Sequence, residues 1–210
     1  MKHKIIALVA MAFCAAGARA QGIEIRDVFR QMPDTVVPYL SQNNRLDLVD
    51  FVDSGMKAEV ENRLGGNTVL EVLGTDYLKA RLTPSTRLEI KLLPCEGGAV
   101  PDSLDRVVCV VMTYGDSIRQ SSVRFFSTGW APLALPDPVA PQNVARYKFG
   151  GAALAGDFLA DLPHTFIEAV LAEGDCGLTV NLVRCVYNDG EPITTEKMST
   201  TLKWAGDTFK

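Results

Sequence analysis

Apolar residues fall on every second position along two successive stretches of this chain. Leu78, Ala80 and Leu82 alternate with Tyr77, Lys79 and Arg81, and Leu88, Ile90 and Leu92 alternate with Arg87, Glu89 and Lys91. A period of two puts every apolar side chain on one face of an extended strand and every charged one on the other. The pattern predicts two half-buried strands, apolar inward and charged outward, joined by a tight turn at Thr83-Pro84-Ser85. Residues 68–73 are expected as the strand before them, ending at Gly74. Residues 106–113 differ: Val107, Val108, Cys109, Val110, Val111 and Met112 are apolar on both faces, as in a central strand covered on both sides. Gly115-Asp116 then turns the chain into a strand over 118–127.

The segment ahead of these strands has a helical period. Ile25, Val28, Phe29 and Met32 follow the i, i+3, i+4, i+7 spacing of one apolar stripe. Pro33 interrupts it, and a short turn is expected from 34 to 40. A further helix is marked by Asn44 as its cap, by Asp47 in its first turn, by Leu48, Val49, Phe51 and Val52 as its buried side and by Gly55 as its stop. Downstream, Pro132, Pro136, Pro138 and Pro141 forbid regular pairing, so residues 130–145 read as a Pro-rich surface crossover. The 65 residues after it are few for a separate core, so 21–210 is expected to form one domain. Strands resume at 165–172, 177–186 and 198–204, with turns at Asn188-Asp189-Gly190 and Gly206-Asp207 and a brief helical turn over 191–197. Helices first and strands afterwards predict an α+β fold, with N-terminal helices packed on one face of a curved, mostly antiparallel β-sheet.

The first 20 residues have the three parts of a signal peptide. Lys2 and Lys4 precede an apolar run from Ile5 to Ala16, and Ala18-Arg19-Ala20 offers small residues for cleavage before Gln21. That run is shorter than the roughly 20 apolar residues a membrane-spanning helix needs. Phe13 ahead of Cys14 disfavours lipid attachment there. Removing Lys2, Lys4 and Arg19 leaves 18 basic side chains against 25 acidic ones, a net charge of −7. An acidic chain without a basic run lacks the clustered cations that bind nucleic acid or anionic lipid. Four cysteines remain, Cys95, Cys109, Cys176 and Cys185, without a C-x-x-C spacing. On one extended strand Cys176 and Cys185 would lie about 30 Å apart at about 3.3 Å per residue, far beyond disulfide reach. Two disulfides in another pairing and four buried thiols both stay open.

Several runs are recognisable together: Ile25-Arg26-Asp27-Val28-Phe29, Met32-Pro33-Asp34, Val37-Pro38-Tyr39-Leu40, Asn43-Asn44-Arg45-Leu46-Asp47 and Gly55-Met56-Lys57-Ala58. Leu64-Gly65-Gly66, Asp76-Tyr77-Leu78, Leu92-Leu93-Pro94 and the terminal Leu202-Lys203-Trp204 continue them. The chain resembles a family of uncharacterised exported proteins of the Bacteroides group that carry a domain of unknown function. The resemblance spans nearly all of 21–210 and is densest over 25–94. It implies export from a Gram-negative cell, to the periplasm, the outer membrane or beyond, and it implies no catalytic residue.

Patterns that carry chemistry are sparse. His164 is the one histidine after the leader, and no G-x-S-x-G elbow accompanies it, so it reads as a strand-end residue rather than a general base. Gly150-Gly151 and Gly156 fit neither a dinucleotide nor a P-loop fingerprint. Asp47, Asp50 and Asp53 share one helix side and, with Asn43 and Asn44, offer oxygens to calcium, but without an EF-hand spacing they read as a solvated face. No catalytic residue, cofactor or metal is assigned. Trp130, Tyr147 and Phe149, beside four prolines, are candidate partner-binding residues; the simpler reading is a cap on the open end of the core. The expected function is non-enzymatic: an exported protein that binds an unknown envelope partner or serves envelope assembly. A carrier of an apolar ligand, such as a lipid or a lipoprotein, is the alternative, and a hydrolase is the third reading.

Overall fold

The two alternating stretches pair with each other, and the sheet grows outward from them one hairpin at a time. The computed structural model describes residues 22–95, 105–188 and 191–210, without the side chains of 157, 163, 186–188 and 191–194. The proposed leader and the Asp189-Gly190 turn lie outside the described residues. Strands β1 (Glu59–Glu61), β2 (Asn67–Leu73), β3 (Tyr77–Thr83), β4 (Thr86–Pro94), β5 (Arg106–Tyr114), β6 (Gln120–Ser127) and β7 (Pro132–Leu133) form one sheet in that spatial order, antiparallel throughout. Each strand pairs with its neighbour in sequence, as short connections favour. β5 is central, and its side chains from 107 to 112 are all buried. The β5–β6 turn depends on Gly115, whose φ is 105° and where a Cβ would stand 2.1 Å from the Ile118 carbonyl oxygen. Pro132 was expected to resist pairing, yet it pairs with Phe126. It does so in a two-residue edge strand, where its missing N–H disrupts no ladder.

Two helices cover one face. α1 (Ile25–Arg30) turns Ile25, Val28 and Phe29 onto the sheet, and α2 (Gln42–Asp53) adds Leu48 and Val49. They close over Leu78, Ala80, Leu82, Leu88, Ile90, Leu92, Val108 and Val110, every one inaccessible to solvent. The start of α2 differs from the expected one. Ser41 is the cap: its Oγ accepts from Asn44 N–H at 3.2 Å, while Asn44 Oδ1 accepts from Ser41 N–H at 3.1 Å. Asn44 is thus the third residue of the helix, closing a capping box from inside. The stop is as expected. Gly55 takes a φ of 66°, and Met56 and Gly55 donate to Phe51 and Val52. Phe51 and Val52 are only half-buried at the margin of this core, and Arg45 takes an inner position. It is 2% exposed and donates to Leu40 O at 2.6 Å and Asp34 Oδ1 at 3.0 Å.

The opposite face meets the expectation of solvent only in part: Lys79 and Arg81 stay 37% and 39% exposed beside Glu71, as the alternation predicts, but the rest of the face is covered. A second sheet lies on it, β10 (Phe166–Leu171), β11 (Gly177–Asn188) and β12 (Glu191–Lys203), antiparallel in that order. Tyr77, Leu93, Val107, Cys109, Val111 and Phe125 meet Ile167, Leu171, Leu178, Val180, Leu182 and Leu202 in a second core. Glu89 and Lys91, which the alternation assigns to water, are therefore 6% and 1% exposed. Residues 191–197 are strand, not a helical turn. They pair with β11 through Cys185↔Thr195 and Val183↔Lys197, and their threonines suit an extended backbone.

The connection between the sheets carries α3 (Pro141–Val144), β8 (Lys148–Phe149), β9 (Ala152–Ala153), α4 (Gly156–Ala160) and a 3-10 turn, Leu162–His164. At the far end Lys203 and Lys210 exchange both backbone hydrogen bonds, and Trp204 Nε1–H donates to Pro94 O at 2.7 Å. All four cysteines are free thiols.

Candidate functional site

The three aromatic candidates part company in three dimensions. Trp130 is buried on the helix side. Its φ of 66° is rare for a residue with a side chain, and the indole is held by Phe126, 5.4 Å between ring centres, and by Nε1–H donation to Val28 O at 2.9 Å. Phe149 is buried in the second core, on the other side of the large sheet. Tyr147 alone faces a cavity. It is half-buried, its hydroxyl donates to Pro138 O at 3.1 Å, and burial pushes its pKa up to about 12.

That cavity is an open groove of about 600 Å³ between the Pro-rich crossover and β12. One wall is Pro136, Pro138, Arg146, Tyr147 and Lys148; the other is Thr200, Thr201 and the chain-terminal Thr208–Lys210 stretch. The first wall is braced from within. Asn143 Nδ2 donates to Asp137 O at 2.7 Å, and Asp137 Oδ1 accepts from Val139 N–H at 3.0 Å. Pro141 opens α3 at a position that needs no N–H. Thr200 Oγ1 ties the two walls by donating to Lys148 O at 2.8 Å. Arg146 and Lys148 are exposed, and among the described residues neither has a carboxylate within ion-pair reach. The groove thus offers two unneutralised cations, a phenol and threonine hydroxyls in a chain of net negative charge. It holds no nucleophile with an adjacent base. Of its residues, sequence reasoning found Tyr147. The basic pair flanking that tyrosine was a usable signal that was missed. Thr200 and Thr201 arrive from a distant strand, so no local pattern announces them.

A second polar cluster is buried between the sheets. Tyr77 hydroxyl donates to Glu89 Oε1 at 2.5 Å, and Glu89 Oε2 accepts from Leu171 N–H at 3.4 Å. Ser121 Oγ accepts from Ala169 N–H at 2.9 Å and shares a hydrogen bond with Thr113 at 2.8 Å, while Gln120 Oε1 accepts from Ile167 N–H at 2.9 Å. Lys91 Nζ donates to Glu173 O at 2.7 Å and to Asp76 Oδ1 at 3.3 Å. Burial pushes the Glu89 carboxyl above its ordinary range. Perturbed carboxyls often mark active sites. Here every partner is a structural group, and four of them are the backbone of β10 and the residues just after it. The cluster fastens one sheet to the other.

The remaining sequence candidates are apart from any cleft chemistry. The His164 side chain is 80% exposed, with Asp161 3.4 Å away. Asp50 and Asp53 pair with Arg30 at 3.0 Å and Arg26 at 2.8 Å, so α1 neutralises the face considered for calcium. Among the described residues no group of three or more His, Cys, Asp or Glu side chains gathers as a metal site. Gly150-Gly151 is the turn of the β8–β9 hairpin. Cys109 is fully buried, which raises its thiol pKa and leaves it inert.

Among the described residues no helix is long and apolar enough to cross a membrane. No curated protein matches the chain. A solved structure, a domain of an uncharacterized protein from Porphyromonas gingivalis W83, shares the fold: its TM-score is 0.62 at 18% identity, over 88% of this chain and 96% of that one. Residues 17–190 match the family described as protein of unknown function (DUF3256), and the chain belongs to that family.

Proposed function

We propose that this chain is an exported, non-enzymatic binding protein of a Gram-negative envelope, and that the groove beside Tyr147 receives its partner. The carrying observation is the groove itself: an open trough of about 600 Å³ with Arg146 and Lys148 unneutralised at its wall. Surface cations in a chain of net charge −4 steer a partner of opposite sign to one place. The signal-peptide pattern at the N-terminus supports export, and the resemblance to exported Bacteroides-group proteins supports the envelope. The carrier reading has less behind it. Each covered face of the large sheet carries a cluster of buried side chains from facing layers, and the groove that is present is open and rimmed by polar groups rather than an enclosed apolar cavity.

The test is a photo-crosslinking residue placed at Tyr147 in the host, with the same residue at exposed Tyr114 as the control. The expected result is a discrete adduct from position 147 that is absent from 114 and lost in an Arg146→Glu/Lys148→Glu background. Equal labelling at both positions, or none at either, overturns the proposal.

A further inference from the structure

The two edges of the three-stranded sheet are finished differently. On β10 the N–H groups that point away from β11 belong to Ile167, Ala169 and Leu171, and each is taken by a side chain of the large sheet: Gln120, Ser121 and Glu89. That edge is sealed. On β12 the alternation is fixed by two observations. Trp204 N–H donates inward to Cys176 O at 2.9 Å, whereas Lys203 exchanges hydrogen bonds outward with Lys210 at 2.7 and 2.9 Å. Counting back by twos, the backbone groups of Thr201, Ser199 and Lys197 also point outward. All three residues are exposed, and β12 pairs with β11 alone, so these groups meet no partner among the described residues. The large sheet ends in strands of three and two residues, β1 and β7, too short to template a partner.

The groove opens along this same edge, since Thr200 and Thr201 form one of its walls. Residues 208–210 already show how the edge is used: they fold back on 203–205, with Phe209 bridged to Trp204 and Lys210 paired with Lys203. An extended segment entering the groove would continue that line past 201, 199 and 197. Side chains on its inner side would face Arg146 and Lys148, and on its outer side they would run beside Lys197.

We infer that the groove takes an extended, acidic peptide segment of another protein, which adds to the sheet as a fourth strand along β12. The inference rests on the groove being the binding site and names its occupant. Backbone pairing supplies affinity, and the cations select for acidic side chains at alternate positions.

The experiment adds two hexapeptides to the full chain, one alternating threonine with glutamate and one alternating threonine with lysine, and reads amide exchange by NMR. The expected result is slowed exchange at Lys197, Ser199 and Thr201 with the glutamate peptide alone. An Arg146→Glu/Lys148→Glu variant should weaken that binding by about tenfold, as two lost surface charge contacts would. A glutamate peptide N-methylated on the pairing positions should give no protection. Shifts at Arg146, Tyr147 and Lys148 without protection at 197, 199 and 201 would overturn strand addition and leave the groove a binding site. No response to either peptide, together with no crosslink at position 147, would overturn both. Protection of the same amides that grows with protein concentration in the absence of peptide would make a second copy the occupant and overturn the inference.

Discussion

Both faces of the seven-stranded sheet are covered over β4 and β5, and they are covered by different means. Under the helices, Leu78, Ala80, Leu82, Leu88, Ile90 and Leu92 meet Ile25, Phe29 and Leu48, with hydrocarbon on both sides. Under the second sheet, hydrocarbon surrounds a polar seam: Glu89 and Ser121, backed by Tyr77 and Thr113, reach the backbone of β10, and Lys91 reaches the carbonyl of Glu173 just beyond it. Apolar burial is roughly proportional to area and indifferent to direction. Hydrogen bonds to three alternate amides fix the position of a strand to a single residue. The helix layer is pinned at single points, Ile25 N–H to Thr75 O and Trp130 Nε1–H to Val28 O, whereas the second sheet is pinned at alternate positions along a whole strand.

The contrast predicts which losses size alone can repair. The largest effect is expected on the helix side, where Phe29→Ala should lose about 3–5 kcal/mol in urea unfolding, and Phe29→Leu should recover most of it. Glu89→Ala is next. It strands the Tyr77 hydroxyl and the Leu171 N–H, at about 1–3 kcal/mol for each orphaned buried group, and Glu89→Leu should recover little because no apolar side chain accepts a hydrogen bond. A leucine that restores both sites equally would erase the distinction between the faces.

Ser121→Ala sharpens the comparison at one amide. It should cost about 1–3 kcal/mol and speed hydrogen exchange at Ala169 while leaving the amides under the helices unchanged. The smallest effect is in pH. The Glu89 carboxyl, raised by burial above its ordinary value of 4.5, stays protonated in the folded state over a window in which the unfolded chain has ionised. Its contribution is complete below 4.5 and is lost as pH rises through the folded value. Relative to Glu89→Gln, the natural chain should therefore lose stability on going from pH 4 to pH 8, and a constant difference across that range would remove Glu89 as the titrating group.

The helix face was legible in the sequence because its two halves carry complementary periods, 3.6 over 25–32 and 2 over 78–92. The second layer was not, because Glu89 and Lys91 alternate with apolar neighbours just as a wet face does. Burial and solvent exposure of a charged position look the same until its partners are known, and those partners, Leu171 and Glu173, lie 82 residues away. The available signal was the tail itself: Leu178, Val180 and Leu182 alternate with polar residues and required an apolar surface to face. At the groove, sequence proximity misled. Trp130, Tyr147 and Phe149 are near neighbours along the chain, yet the sheet passes between the first and the last of them. Ser41 was overlooked as a cap because Asn44 suits that role equally well by residue type, and only the reciprocal bond tells the two apart.

The indole of Trp204 rests on the carbonyl of Pro94, 110 positions earlier, and β12 lies between that tryptophan and the rest of the second layer's chain. The helices and β1–β7 come from the first two-thirds of the polypeptide and can assemble while it is still being made. The other layer cannot close until its last strand has emerged. Contacts of such long range form slowly, so Glu89, Lys91 and Ser121 stay hydrated until β10 and Glu173 dock on them. The second core therefore depends on the first: the side chains that receive the amides of β10 all belong to strands that precede it.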